Sequence, residues 1–143
     1  ARFYIVGRNP AAAVRELAGE RIAVTGTVPD VRPYLRHAAV VVAPLRIARG
    51  IQNKVLEAMA MGRPVVVARE CGAAVDAVPE RDLLLAGDAD EHVGQIERLL
   101  DSPERRAAVG QAARSRVLER YSWDAHLAVI DRHLETILQA SGK

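Results

Sequence analysis

The chain has 143 residues, of which half are hydrophobic and only 3% are aromatic, with a formal charge of +2. The arginines are scattered and few rings are available to stack on bases, so the composition argues against a nucleic-acid-binding protein. The single cysteine, Cys71, excludes an internal disulfide. No apolar run approaches the roughly 20 residues of a membrane span. We therefore expect one cytoplasmic domain with Cys71 buried as a small hydrophobic residue.

The first three quarters of the chain alternate short β-branched runs with helical patterns. This order predicts a parallel sheet covered by helices on both faces. The predicted strands are 3–6, 22–25, 40–43, 65–68 and 83–85. The predicted helices are 10–18, 31–38, after the cap candidate Asp30, and 52–61. Residues 71–78 are predicted as a loop with a helical turn, and residues 1–86 as one Rossmann-like α/β core.

Residues 87–143 are predicted as a helical C-terminal segment. The acidic residues at 88–91 open a helix whose apolar stripe runs over 90–100. Ser102 is expected to cap the next helix, because Pro103 follows at its first position. Ser122 is expected to cap a final helix with an apolar stripe at helical spacing: Leu127, Ile130, Leu134, Ile137 and Leu138. We expect this stripe to pack in an altered position or to pair with another copy of the chain.

The segment after the third predicted strand has the composition of a ligand-binding loop. In an open parallel sheet, ligands bind at the carboxyl ends of the strands, where helices begin. Gly50 would let a bound group approach the backbone closely. The amides of Ile51, Gln52 and Asn53 are then placed to face a phosphate at the helix start.

Glu57 is the candidate for direct recognition of a ligand. Asn53, Lys54 and Glu57 are three and four residues apart and so share one helix face. A carboxylate one turn into the helix can accept hydrogen bonds from the two hydroxyls of a ribose, each worth about 1.5–3 kcal/mol. The alternative is a weak surface ion pair with Lys54 or Arg49.

The stretch "APLRIARGIQNKVLEAMAMGRPVVVA" resembles the donor-binding motif of the retaining GT-B glycosyltransferases, the glycosyl transferases group 1 type. The flanking segments "FYIVGRNP", "RIAVTGTVPDVRPYLRHAAVVVAP" and "LLLAGDADEHVGQIERLLDSPERRAAVGQAARSRVLERYSWDAH" resemble successive pieces of the same C-terminal domain. The likeness covers nearly the whole chain. It is strongest to bacterial transferases of exopolysaccharide synthesis.

The resemblance implies that this chain is the donor half of a two-domain enzyme. Such enzymes transfer a sugar from a nucleoside diphosphate sugar with retention, without a bound metal or other cofactor. Glu57 would bind the ribose, and Arg49–Asn53 would lie beside the sugar and diphosphate. Gly26, Thr27 and Val28 would border the base.

One motif position departs from the family. The family motif has two glutamates, and the place of the first is taken by Arg49. Either Arg49 binds the diphosphate or an acidic sugar, or it reshapes the loop; Arg46 shares this ambiguity. The family's basic pair for the diphosphate and its acceptor domain have no counterpart in these residues. We therefore assign no catalytic residue and expect the chain alone to be inactive. Separately, we expect that the full-length protein can associate peripherally with a membrane.

Two other functions remain open on the sequence. A nucleotide-sugar epimerase would share the two-domain fold, and a non-catalytic α/β binding module would share half of it. "VGRNPAA" lacks the glycine spacing of a dinucleotide-binding loop. The four histidines show no metal-ligand spacing, so we predict no metal site.

Overall fold

The computed structural model describes residues 1–45 and 50–141. The elements follow in this order: β1 (Phe3–Val6), α1 (Ala12–Arg15), β2 (Ile22–Gly26), α2 (Arg32–His37), β3 (Val41–Ala43), α3 (Asn53–Ala60), β4 (Val65–Ala68), α4 (Arg69–Gly72), β5 (Leu84–Ala86), α5 (Ala89–Asp101), α6 (Pro103–Tyr121) and α7 (Trp123–Ser141). They form two compact units, Ala1–His37 and Ala38–Lys143. The predicted strands are all found, to within one residue at either end.

The first unit is built on a parallel pair of strands, β1 and β2. Its register shifts at the end of β1, so that Val6 lies opposite Gly26. The helix predicted over 10–18 is shorter than expected, because α1 ends at Arg15. The amides of Leu17 and Ala18 bond to carbonyls only three residues earlier, which tightens the chain into a turn before β2.

The second unit contains a three-stranded parallel sheet in the order β3-β4-β5. All four residues of the central strand β4 are buried, as its continuous apolar run predicts. The helix α5 packs on β4 and β5, and α6 packs on α3 and α5. One core cluster joins strands and helices: Val66, Leu84, Ala86, Leu99 and Val109. The expected α/β fold with parallel strands and a helical C-terminal segment is confirmed. The expectation of a single sheet over residues 1–86 is wrong, because the five strands form two separate sheets of two and three strands.

Three predicted helix caps are confirmed by hydrogen bonds. Each side chain accepts a bond from a backbone amide at the start of the following helix: Asp30, Ser102 and Ser122. At α5, Asp88 accepts from the amide of Glu91, and the Glu91 carboxylate accepts from the amide of Gly87. The first bond satisfies one of the amides at the start of α5, and the second joins the residue before the cap to the first turn of the helix.

The segment after β4 begins its helical turn earlier than predicted, since α4 starts at Arg69. Cys71 in this turn is a free, buried cysteine, as expected. Burial raises the pKa of its thiol, and the positive charge of Lys54 opposes this shift.

The predicted division of the chain after residue 86 remains a prediction of the sequence. The compact units divide instead between His37 and Ala38.

The final helix α7 packs against α6. Its predicted stripe is exposed, with relative accessibilities of 49–71% for the five residues: Leu127, Ile130, Leu134, Ile137 and Leu138. Within residues 1–45 and 50–141, no helix has the length and apolar character needed to cross a bilayer.

Candidate functional site

At the start of α3, two backbone donors have no partner among the described residues. Gln52, the residue before the helix, is extended, and its side chain donates to the carbonyl oxygen of Gly50 at 3.4 Å instead of capping the helix. The amides of Asn53 and Lys54 have no hydrogen-bond partner among the described residues. First-turn amides without partners favour a bound anion such as a phosphate.

Two predicted site glycines have left-handed backbone conformations. The φ angles are 71° at Gly50 and 69° at Gly26. No described atom lies within 4 Å of the place that a Cβ would occupy at either residue. The left-handed backbone angle favours glycine at both positions, and no described residue fills the space beside either one.

The predicted helix face is confirmed. Asn53, Lys54 and Glu57 are exposed, whereas Val55 and Met59 on the other side of α3 are fully buried. The Glu57 carboxylate has no hydrogen bond or ion pair with any described residue, Lys54 included. The alternative of a Lys54 ion pair is thus not observed.

The arginines of the preceding loop cannot be placed against this face. Arg46 and Arg49 lie outside the described residues. The proposed contacts of Arg49 with the diphosphate or sugar, and an ion pair between Arg49 and Glu57, therefore stay predictions. Ile51, which follows Gly50 in this loop, is described and is 46% exposed.

A cavity of about 440 Å³ lies beside the carboxyl end of β2 in the first unit. Its lining includes Gly26 and Thr27, two of the three residues predicted to border a base; Val28 is not among the lining residues. Asn9 and Arg15 also line it and were missed by the sequence analysis. The Asn9-Pro10 dipeptide shortly after β1 was the available signal, since Asn-Pro marks a turn. Asn9 adopts a φ of 50° in that turn.

A second cavity, of about 450 Å³, lies in the second unit between α5 and the segment around Glu80. Its polar side chains bond to one another: Arg69 donates to Glu91 at 2.6 Å, Gln95 donates to Glu80 at 3.2 Å, and Arg98 donates to Gln95 at 3.4 Å. The amide of Gly87 and the guanidinium of Arg69 lower the pKa of Glu91. Glu57 lines neither of these two cavities.

The predicted site residues are thus divided between the two compact units. Gly26, Thr27 and Val28 belong to the first, and Gly50 to Glu57 belong to the second. In the part of the chain that the structure describes, no three side chains of His, Cys, Asp or Glu gather where they could hold a metal ion. The absence of a metal and of other cofactors remains a prediction.

The arrangement of parallel strands and helices is the fold of one half of a GT-B glycosyltransferase. HepE from Anabaena, solved in complex with UDP-glucose, has a TM-score of 0.76 at 18% identity, over 97% of this chain and 41% of that one. The C-terminal domain of a glycosyl transferase group 1 protein from Francisella tularensis has a TM-score of 0.65 at 18% identity, over 72% of this chain and 55% of that one.

Residues 1–102 match the family Glycosyl transferases group 1, and the chain belongs to this family. A GDP-mannose-dependent mannosyltransferase of Corynebacterium glutamicum is 37% identical over 86 residues, which are 59% of this chain and 22% of the relative. An MMP alpha-(1->4)-mannosyltransferase of Mycolicibacterium hassiacum is 36% identical over 80 residues, 53% of this chain and 19% of the relative. The resemblance inferred from the motif is confirmed. The chain spans only about a fifth of these two relatives.

Proposed function

We propose that this chain is the donor-binding domain of a retaining glycosyltransferase that uses a nucleoside diphosphate sugar. The observation that carries the proposal is the exposed Glu57 carboxylate, one turn into a helix whose first amides are unpartnered among the described residues. Membership of the glycosyl transferases group 1 family supports it. So do a relative named for GDP-mannose and a structural neighbour solved with UDP-glucose.

In this proposal each part of the motif has its own task. Glu57 accepts hydrogen bonds from the ribose hydroxyls, and the amides from Ile51 to Lys54 receive the diphosphate. The loop residue Arg49 lies beside the sugar. The turn from Gly26 to Val28 borders the base.

The test is calorimetric titration of the full-length protein with uridine, guanosine and adenosine diphosphates. Glu57→Ala should weaken binding of the diphosphate that binds best by about 100-fold or more, since it removes two charge-assisted hydrogen bonds worth about 1.5–3 kcal/mol each. Glu97→Ala is the matched control, because Glu97 is an exposed acid on α5 without a described partner. It should leave binding unchanged.

The 2′-deoxy form of the same nucleotide makes this test specific for the ribose. The deoxy form should bind the wild type more weakly than the ribose form does. In Glu57→Ala the two forms should bind equally, because the carboxylate that contacts the 2′-hydroxyl is absent. Binding of none of the three diphosphates, or a deoxy effect that persists in Glu57→Ala, would contradict the proposal.

We also propose the setting in which the domain acts. The full-length protein would transfer a sugar in exopolysaccharide or glycoconjugate synthesis in the cytoplasm, peripherally at the membrane. The acceptor would bind to an N-terminal domain. This chain alone should therefore bind a donor without turning it over, and addition of the acceptor domain should restore transfer.

The exposed stripe of α7 supports a proposal of self-association. Burying an apolar side chain of this size contributes about 1.5–3 kcal/mol, and Leu134 and Ile137 are 53% and 60% exposed. We expect sedimentation to show a concentration-dependent dimer of this chain that Leu134→Glu disrupts. A monomer at all concentrations would contradict this.

A further inference from the structure

The C-terminal end of α3 is held by a side chain from a distant helix. The last carbonyls of a helix lack partners within it. In α3, the carbonyls of residues 57–59 accept bonds from the backbone amides of residues 61–63. The next carbonyl, that of Ala60, accepts a hydrogen bond of 2.6 Å from Nη1 of Arg114, which lies on α6. The guanidinium therefore completes the end of a helix 54 positions earlier in the chain.

A backbone contact lies beside this hydrogen bond. A Cβ on Gly110 of α6 would stand 2.3 Å from the carbonyl oxygen and 3.1 Å from the carbonyl carbon of Gly62. Gly62 has a φ of 66° and ends the turn after α3. Because both contacted atoms belong to the backbone, a larger residue at 110 would force α6 and the end of α3 apart.

The helix fixed in this way is the one that carries Glu57. Ala60 lies three residues after Glu57, so the two are about one turn apart. The Glu57 carbonyl is itself held by the amide of Met61. A displacement of the end of α3 would therefore move the Glu57 face. Enzymes are sensitive to such shifts, since a misplacement on the order of 1 Å can cost on the order of 100-fold in reaction rate.

We propose that Arg114 and Gly110 are positioning residues for nucleotide binding. They touch no ligand, and they act through α3 by fixing where the Glu57 carboxylate stands. This inference rests on the proposed role of Glu57 as the ribose-binding residue.

The experiment measures nucleoside diphosphate affinity of the full-length protein in two backgrounds, Glu57 and Glu57→Ala. Arg114→Ala should weaken uridine or guanosine diphosphate, whichever binds, by about 3- to 10-fold, the scale of one hydrogen bond. Arg114→Lys keeps a donor and should recover most of the loss. In the Glu57→Ala background, Arg114→Ala should have no further effect, since the group that it positions is absent.

Arg106→Ala is the matched control. Arg106 also lies on α6, and its guanidinium donates to the carbonyls of Leu99 and Leu100 at the end of α5 instead of α3. Its loss should lower the melting temperature to a similar extent as Arg114→Ala without changing nucleotide affinity. Gly110→Ala should weaken the nucleotide more than Arg114→Ala does; should it fail to fold, the arginine variants decide the matter.

The outcomes separate the two hypotheses. If Glu57→Ala binds like the wild type, both the ribose role and this inference are wrong. If Glu57→Ala weakens binding but Arg114→Ala has no effect, or the same effect in both backgrounds, only this inference is wrong. Equal weakening by Arg106→Ala and Arg114→Ala would also overturn it, because the effect would then be one of general stability.

Discussion

Two carboxylates of the second compact unit, Asp82 and Glu57, have opposite surroundings. Asp82 is 1% exposed and is the only charged residue that is buried among those whose side chains the structure describes. It accepts hydrogen bonds from Arg81 at 2.7 Å, from Arg116 at 3.0 Å and from the amide of Val78 at 2.9 Å. Glu57 is exposed and has no described partner. Asp82 is thus placed to stabilise the fold, whereas Glu57 is placed where a ligand could bind it.

The surroundings of Asp82 also determine its protonation. Burial by itself would raise the pKa of this carboxyl. The hydrogen bonds from Arg81, the Val78 amide and Arg116 outweigh burial and lower the pKa to about 2. Asp82 therefore stays ionised, and it ties the segment before β5 to α6 through Arg116, which is only 10% exposed.

The largest effect should come from Asp82→Ala. We expect the free energy of unfolding, measured with urea, to fall by about 3–5 kcal/mol, because the variant leaves the Arg116 guanidinium, only 10% exposed, without its carboxylate. Glu119→Ala is the control, since Glu119 is an exposed acid 3.8 Å from the same arginine. It should change stability by less than about 1 kcal/mol. Similar losses of unfolding free energy for Asp82→Ala and Glu119→Ala would contradict the special role of the buried carboxylate.

The two arginines that bind Asp82 should differ in the same way. The side chain of Arg116 is 10% exposed, whereas that of Arg81 is 59% exposed. Arg116→Met should destabilise by about 2–3 kcal/mol, less than loss of Asp82 because Arg81 and the Val78 amide remain. Arg81→Met should cost less than about 1 kcal/mol. Thermal and urea unfolding of both variants measure the two losses of stability. A larger loss for Arg81→Met than for Arg116→Met would contradict the conclusion that the less exposed arginine matters more.

The contribution of Asp82 should depend on acid pH. Its pKa is about 2 in the folded protein, against an ordinary value of 3.8. Because the folded pKa is the lower one, the stabilisation is present above about pH 4 and is lost as the pH falls towards 2. The difference in unfolding free energy between the wild type and Asp82→Asn should shrink by about 2 kcal/mol over this range. A difference that stays constant would show that the charge of Asp82 is not what stabilises the fold.

The sequence predicted those parts of the structure that depend on local signals. The run of valines at 65–67 identifies a fully buried strand, and Ser102 before Pro103 marks a helix start. The common face of Asn53, Lys54 and Glu57 follows from helical spacing alone. These predictions needed no knowledge of what packs against each element.

The missed features depend on partners distant in the chain. Asp82 meets Arg116 across 34 positions, and Ala60 meets Arg114 across 54. No periodicity or capping signal links such positions, because only the folded chain brings them together. The short length of α1 was missed for a different reason: the turn before β2 includes a local bond from the amide of Gly19 to the carbonyl of Ile22, which the helical pattern over 10–18 does not indicate.

The smallest expected effect on stability is that of Glu57→Ala. The carboxylate is exposed and unpaired among the described residues, so its removal should change the unfolding free energy by no more than about 0.5 kcal/mol. Alanine also has a slightly higher helix propensity than glutamate, which favours α3. Urea unfolding without nucleotide measures this term separately from binding. A loss of 2 kcal/mol or more would mean that Glu57, like Asp82, holds the fold, and a weaker affinity of this variant could then no longer be assigned to a lost contact with ribose.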